Sequence, residues 1–389
     1  SYSPSERSTL AESLNKLRDA YYAEGDVEYA GRYLFSGYMT DTPLTYQSDE
    51  TAAKADFTIT QEFTRENIEL KTVYTNAYSN DDILNLNVKT DAATGNVITP
   101  NVADVHRVRI GYTKVSDAGT FEIKLNDGTT IAAAAVNDSN YQPGDDEAAF
   151  NAATGEILLG ENVYKQLYAS DGFSFTYRKD NFAKGDLNPV MYYDCVDNNP
   201  DNAGVVYTKK TEDIEYNINF SQKLKVNTEA NEVFNMYLGR DIDDLITSVN
   251  NVIDIEAQLE KVEGMLKQDI YSDKDSQSKL NSIKEGLTKQ NELAKEEMKN
   301  RFEYCVGTMQ GYQEQASLAK ADAGNRMTRL NLTKSRLTEQ KTNFTNLKSE
   351  NEDIDLEEVV VGYSAAQLVY NASLTAASKV IQQTLLDFL

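Results

Sequence analysis

From residue 302 to residue 347 the chain repeats one kind of position at alternating steps of three and four. Positions 302, 305, 309, 312, 316, 319, 323, 326, 330, 333, 337, 340, 344 and 347 hold Phe, Cys, Met, Tyr, Ala, Ala, Ala, Arg, Leu, Thr, Leu, Gln, Phe and Leu. Eleven of the fourteen are apolar, which is the seam of a coiled-coil-like helix. No proline follows position 200, so nothing in this half breaks a long helix. A helix of this length is held mainly by packing, so it demands partners of comparable length, in the same chain or another. The least demanding reading of 302–347 itself is the core of an intramolecular bundle.

The rest of the chain supplies few such partners. Residues 5–24 read as a helix: Ser3-Pro4-Ser5 gives a start signal and Glu6 sits in the first turn. Leu10, Leu14, Leu17 and Tyr21 make its apolar stripe. From 44 to 228 the texture is that of strands. "VHRVRIGY" (105–112), "FEIKL" (121–125), "FSFTYR" (173–178) and "IEYNINF" (214–220) alternate, and "NDG" (126–128) predicts a hairpin. From 229 onward the pattern is helical. Ile242, Leu245, Val249, Val252, Leu259, Val262 and Leu266 form a broad stripe. A last helix starts near Asp355, which with Glu358 suggests a capping box. After Glu358 only Lys379 and Asp387 are charged in 31 residues, so this helix suits burial in an assembly more than contact with water. The expected fold is therefore α+β and multidomain. A coiled-coil-like helical domain (1–43 and 229–350) carries an inserted β-rich domain (44–228) and ends in a terminal helix (351–389).

Composition narrows the chemistry. A net charge of −24 opposes binding to nucleic acid or anionic lipid, and no apolar run is long enough to insert in a membrane. His106 is the single histidine and reads as a strand residue, so a catalytic triad or a two-histidine zinc site finds no support, and no enzymatic role is expected. Cys195 and Cys305 read as free thiols. "DNNPDNAG" (197–204) has calcium-loop character at Asp197, Asn199 and Asp201. It lacks the glycine and the final acid, having Asn202 and Thr208 instead, so a turn is the better reading. "GDDEAAF" (144–150) is open to a capped helix or a carboxylate pair. No cofactor motif is present.

Four stretches carry a resemblance: "VEYAGRYLFSGYMTDTP" (27–43), "KVNTEANEVFN" (225–235), "SRLTEQKTNFTNLKSENEDIDLEEVV" (335–360) and "AASKVIQQTLLDFL" (376–389). They resemble segments of the hook–filament junction proteins of bacterial flagella, a flagellin-like family, and flank the β region on both sides. "GDLNPVMYYDC" (185–195) is loosely similar as well. The family's long N-terminal helical arm is not matched. The resemblance implies a structural, secreted subunit, exported without a cleaved signal peptide and placed between hook-associated protein 1 and flagellin in a ring of its own copies. It also implies an export chaperone on the C-terminal helix. Gly31, Arg32, Tyr33, Leu34, Phe35 and Gly37 carry the family motif. With glycine turns at each end, Tyr33 and Phe35 are expected to pack together on the long helices. Leu356, Val360, Tyr363, Tyr370, Leu374, Ile381, Leu385, Phe388 and Leu389 are the expected assembly contacts. Two alternatives stay open: a flagellin-type filament subunit, and a coiled-coil stalk adhesin presenting a β-rich binding domain.

Overall fold

The computed structural model describes residues 3–209, 213–353 and 355–386, with side chains in the last helix to residue 379. Helix α1 (Pro4–Ala23) is followed by a small hairpin, β1 (Glu28–Tyr29) and β2 (Arg32–Tyr33). The β-rich region runs α2 (Asp49–Ala53), β3 (Phe57–Phe63), β4 (Ile68–Thr75), α3 (Asn80–Leu84), β5 (Asn101–Arg109), β6 (Phe121–Leu125), β7 (Thr130–Ala135), β8 (Ala148–Asn151), β9 (Glu156–Leu159) and α4 (Glu161–Ala169). It continues through β10 (Phe173–Lys179), β11 (Asp194–Asp197), β12 (Val206–Tyr207), β13 (Glu215–Asn219) and β14 (Gln222–Lys225). Helices α5 (Ala230–Val233), α6 (Met236–Met265), α7 (Lys274–Glu352) and α8 (Leu356–Leu386) complete the chain. The fold is mixed α+β, with one large mixed sheet and a very long C-terminal helix.

Chain contacts separate two compact units, residues 1–214 with 225–322, and residues 215–224 with 323–389. In the first unit ten strands pair in the order β12-β11-β3-β10-β6-β7-β8-β9-β5-β4. All neighbours are antiparallel except β7 and β8, which run parallel. Alternation on β3, β6 and β10 turns one face into the core, as their sequences predict. Strands β8 and β9 are buried on both faces. Phe150, Ile157 and Leu159 enter the main core, whereas Ala149 and Leu158 join Val73 and Val105 in a smaller cluster. The stretch 144–150 holds no helix: Glu147 accepts a hydrogen bond from the Gly144 N–H and leads directly into β8.

The helices of this unit form two joints. Helix α1 packs along α6, closed at its start by the reciprocal Ser3–Glu6 bonds of a capping box. Its inward face takes in part of the apolar stripe, with Leu14 and Tyr21 against the main core, but Arg7, Ala11 and Tyr22 are more deeply buried and Leu17 is 65% exposed. The reason is charge pairing, with Arg7 meeting Glu256 at 2.5 Å and Arg18 meeting Asp243 at 2.7 Å, both on α6. Further along, Val252, Ile255 and Val262 of α6 close on Leu280, Ile283 and Leu287 of α7, with Tyr78 and Ile83 packed into the same cluster.

The second unit contains the β13–β14 hairpin, the remainder of α7 and α8. Leu224 and Thr333 are its buried side chains among the described residues, and Arg336 donates to Gln222 at 3.3 Å. The seam of α7 faces inward over its first part, with Cys305 buried and Met309 and Tyr312 against the main core. Beyond residue 322 the same periodicity meets no core: Leu330, Leu337, Phe344 and Leu347 are 45, 43, 71 and 58% exposed. Of the bundle expected for the whole of 302–347, the first part is packed within its own unit, and the remainder of the seam is largely exposed.

Candidate functional site

The motif residues sit where the chain enters the β-rich region. Ala30 and Gly31 both have positive φ, 52° and 78°, which reverses β1 into β2 as a two-residue hairpin turn does. The Leu34 N–H then donates to Val27 O at 3.1 Å and the Tyr33 N–H to Thr40 O at 2.8 Å. Ser36 pairs with Glu229, and the Gly37 N–H donates to Thr228 O at 3.2 Å. The outgoing and returning chains thus touch at one point. Gly37 holds φ +60°, and a Cβ there would lie 3.3 Å from Glu229 Cγ, so the crossing suits glycine.

The aromatic pair does not act together. Phe35 stands edge-on to Phe234, just ahead of α6, with ring centres 5.1 Å apart, and Phe234 stands edge-on to Tyr21 at 5.2 Å. Tyr33 is half-buried and lies outside this cluster, while Arg32 and Leu34 are exposed. Strand geometry ends at Tyr33 and the backbone bends over Leu34 and Phe35, which cancels the expected two-residue alternation.

Behind this entry point lies a charged network that the sequence patterns did not single out. Arg107 and Arg109 of β5 are two residues apart, on one face of the strand. Asp241 and Asp244 of α6 are three apart, on one face of the helix. Arg109 meets Asp241 and, from β4, Glu69, each at 2.7 Å. Arg107 bridges Asp244, Glu156 of β9 and Glu69. Lys71 reaches Glu156 at 2.6 Å, and Tyr312 of α7 donates to Asp241 at 2.8 Å. Arg240 donates to Thr154 O at 2.6 Å. Burial pushes the Glu156 carboxyl up, but Lys71 and Arg107 outweigh it and hold the group below its usual range. Burial likewise opposes ionisation of Asp244, and Arg107 and Arg109 override it strongly. The network binds sheet to helices by charges that are buried or half-buried and collectively paired.

The assembly positions of α8 are exposed throughout. Leu356, Val360, Tyr363, Tyr370 and Leu374 are 76, 55, 69, 64 and 53% exposed. Asp355 caps the helix, accepting from the N–H groups of Glu357 and Glu358 at 2.9 and 3.4 Å. Ile381 and Leu385 lie where only backbone is described, and Phe388 and Leu389 lie outside the described residues. No helix of the described residues is long and apolar enough to cross a membrane. The α8 surface is apolar, extended and unoccupied by the chain's own described residues.

The remaining candidates have local roles. His106 stacks on Tyr164 with ring centres 3.5 Å apart and has Nε2 3.7 Å from Glu161. In the turn between β11 and β12, Asp197 Oδ1 accepts from the Asn199 N–H at 2.9 Å and Asn199 Oδ1 from the Asp201 N–H at 3.0 Å. Those oxygens fold the turn back on itself. Cys195 and Cys305 are free and buried, and burial pushes their thiols up to about 12 and about 11. Set against family models, curated proteins and solved structures, the chain matches none of them.

Proposed function

We propose that the chain is a structural subunit of the bacterial flagellum, seated between hook-associated protein 1 and the flagellin filament and assembled through its C-terminal helices. The observation that carries this reading is the exposure of large apolar side chains along α8 and the outer part of α7. Isolated helices of that composition gain their stability by packing, so partner chains are the natural cover. The four stretches similar to junction proteins give the partners their names. In this reading copies of the subunit form a ring, and α8 is the segment an export chaperone holds before secretion. The β-rich region faces outward. Secretion proceeds through the flagellar export route, so the working location is extracellular.

The test is co-assembly of the protein, as its gene encodes it, with purified hook-associated protein 1 and flagellin, followed by sedimentation and electron microscopy. The expected result is a thin layer joining the two, lost on replacing Val360 and Leu374 together by Asp. Failure to bind either partner overturns the reading. So does assembly that the double substitution leaves intact.

A further inference from the structure

A cleft of about 180 Å³ opens on the β11–β12 edge of the sheet, walled by Tyr46, Phe57 and Tyr207 and bordered by Lys54, Asn188 and Asp197. Its aromatic wall is firmly backed: Phe182 packs against Tyr46 at 5.0 Å and Phe57 at 6.1 Å between ring centres. Tyr46 is fixed at both backbone groups, its N–H donating to Asp186 O and its O accepting from Gly185.

The polar side of the cleft is under-used. Asp197 is 5% exposed and has no ion-pair partner among the described residues, an expensive state for a carboxylate. One of its oxygens holds the turn through Asn199, and the other makes no hydrogen bond there. Asn188, 9% exposed, spends its oxygen on the Val190 N–H, and its amide NH₂ donates to no described residue. The Tyr46 hydroxyl is closed off and unpaired. That oxygen lies out of reach from the cleft, so Tyr46 contributes its ring alone.

We propose that this cleft binds one neutral sugar ring. Asp197 needs a donor, whereas the Asn188 amide can give a hydrogen bond. A sugar hydroxyl is donor and acceptor at once, and the C–H face of a pyranose lies flat on an aromatic wall. A quaternary ammonium leaves the amide unanswered, and an anion is repelled by Asp197 in a chain of net charge −24. The volume is below the usual ligand-site range, so binding is weak, about millimolar. The site does not depend on the assembly reading, because every residue it uses lies within the β-rich region and its entry segment.

Saturation-transfer NMR on the whole soluble chain tests it, with glucose, galactose, mannose and N-acetylglucosamine as probes. Transfer to at least one of them is expected. Asp197→Asn keeps the acceptor for Asn199 and removes the charge, and Asn188→Asp keeps the acceptor for Val190 and removes the free donor. Each should lower affinity by about fivefold, the weight of one hydrogen bond, with the circular dichroism spectrum unchanged. No transfer to any of the four sugars overturns the proposal, which would leave the cleft to water alone. Equal affinity in the wild type and in Asn188→Asp, a variant of the same size and shape, overturns it as well.

Discussion

The first half of α7 and its second half share one periodicity and have opposite surroundings. Up to residue 322 the seam has a core to meet, with Cys305 buried and Tyr312 bound to Asp241. Beyond it, side chains of the same kind, such as Phe344 and Leu347, are 71 and 58% exposed. A heptad pattern therefore states that a helix needs cover without stating where the cover comes from. In the inner region the chain supplies it, and uses buried ion pairs to do so. In the outer region the same pattern stays on exposed helix.

The strongest way to break this comparison is to remove one member of the charged network. Glu156→Ala takes the carboxylate from Lys71 and leaves Arg107 with only Asp244 and Glu69, and should cost about 3–5 kcal/mol in urea unfolding of the inner unit. Leu347→Ala on the exposed seam should cost less than about 0.5 kcal/mol in the monomer. Acid should separate the two regions next. Glu156 and Asp244 are held below the ordinary carboxyl range, so the unfolded chain binds protons more readily than the folded one. Their contribution is complete above the ordinary carboxylate range, near pH 4, and fades as pH falls through their folded values. Circular dichroism below that point should show loss of the sheet, and Glu156→Gln should flatten that dependence.

Smaller effects lie at the entry motif. Phe35→Ala removes an edge-on contact with Phe234 and should cost about 2 kcal/mol, against less than about 0.5 for Tyr33→Ala. Gly37→Ala, at a positive φ, should cost about 1–2 kcal/mol. Both are read by thermal unfolding. Hydrogen exchange then sharpens the contrast without a mutation. In a monomer, 356–379 should exchange far faster than 280–312, and protection should appear on assembly. Equal protection in the monomer would remove the exposed surface on which the proposed function rests.

Much of the fold was legible in the residues. The Asn126–Gly128 hairpin, the Ser3–Glu6 cap, the apolar stripe of α6 and the cap at Asp355 follow from local chemistry, and local chemistry is what a sequence displays. The network was not legible as a network. Arg107 and Arg109 on a strand, and Asp241 and Asp244 on a helix, are each visible as same-face pairs. Nothing local says that two faces some 130 residues apart will meet. The ion pairs of α1 were hidden for the same reason, since its leucines do not reveal that Arg7 and Arg18 find partners on α6. The candidate assembly helix was found from its missing charges. The sugar cleft was hidden, because it is made from three loops and a sheet edge.

The contact of Ser36 with Glu229 gives the β-rich region the ends of a detachable cassette. Its two strands of entry leave and return within one hydrogen-bonded pair, so a different module could be grafted between them without stretching α1 or α6. The graft would still face a rule written on the helix. Asp241 and Asp244 would wait beneath it, and any replacement would have to bring two cations of its own.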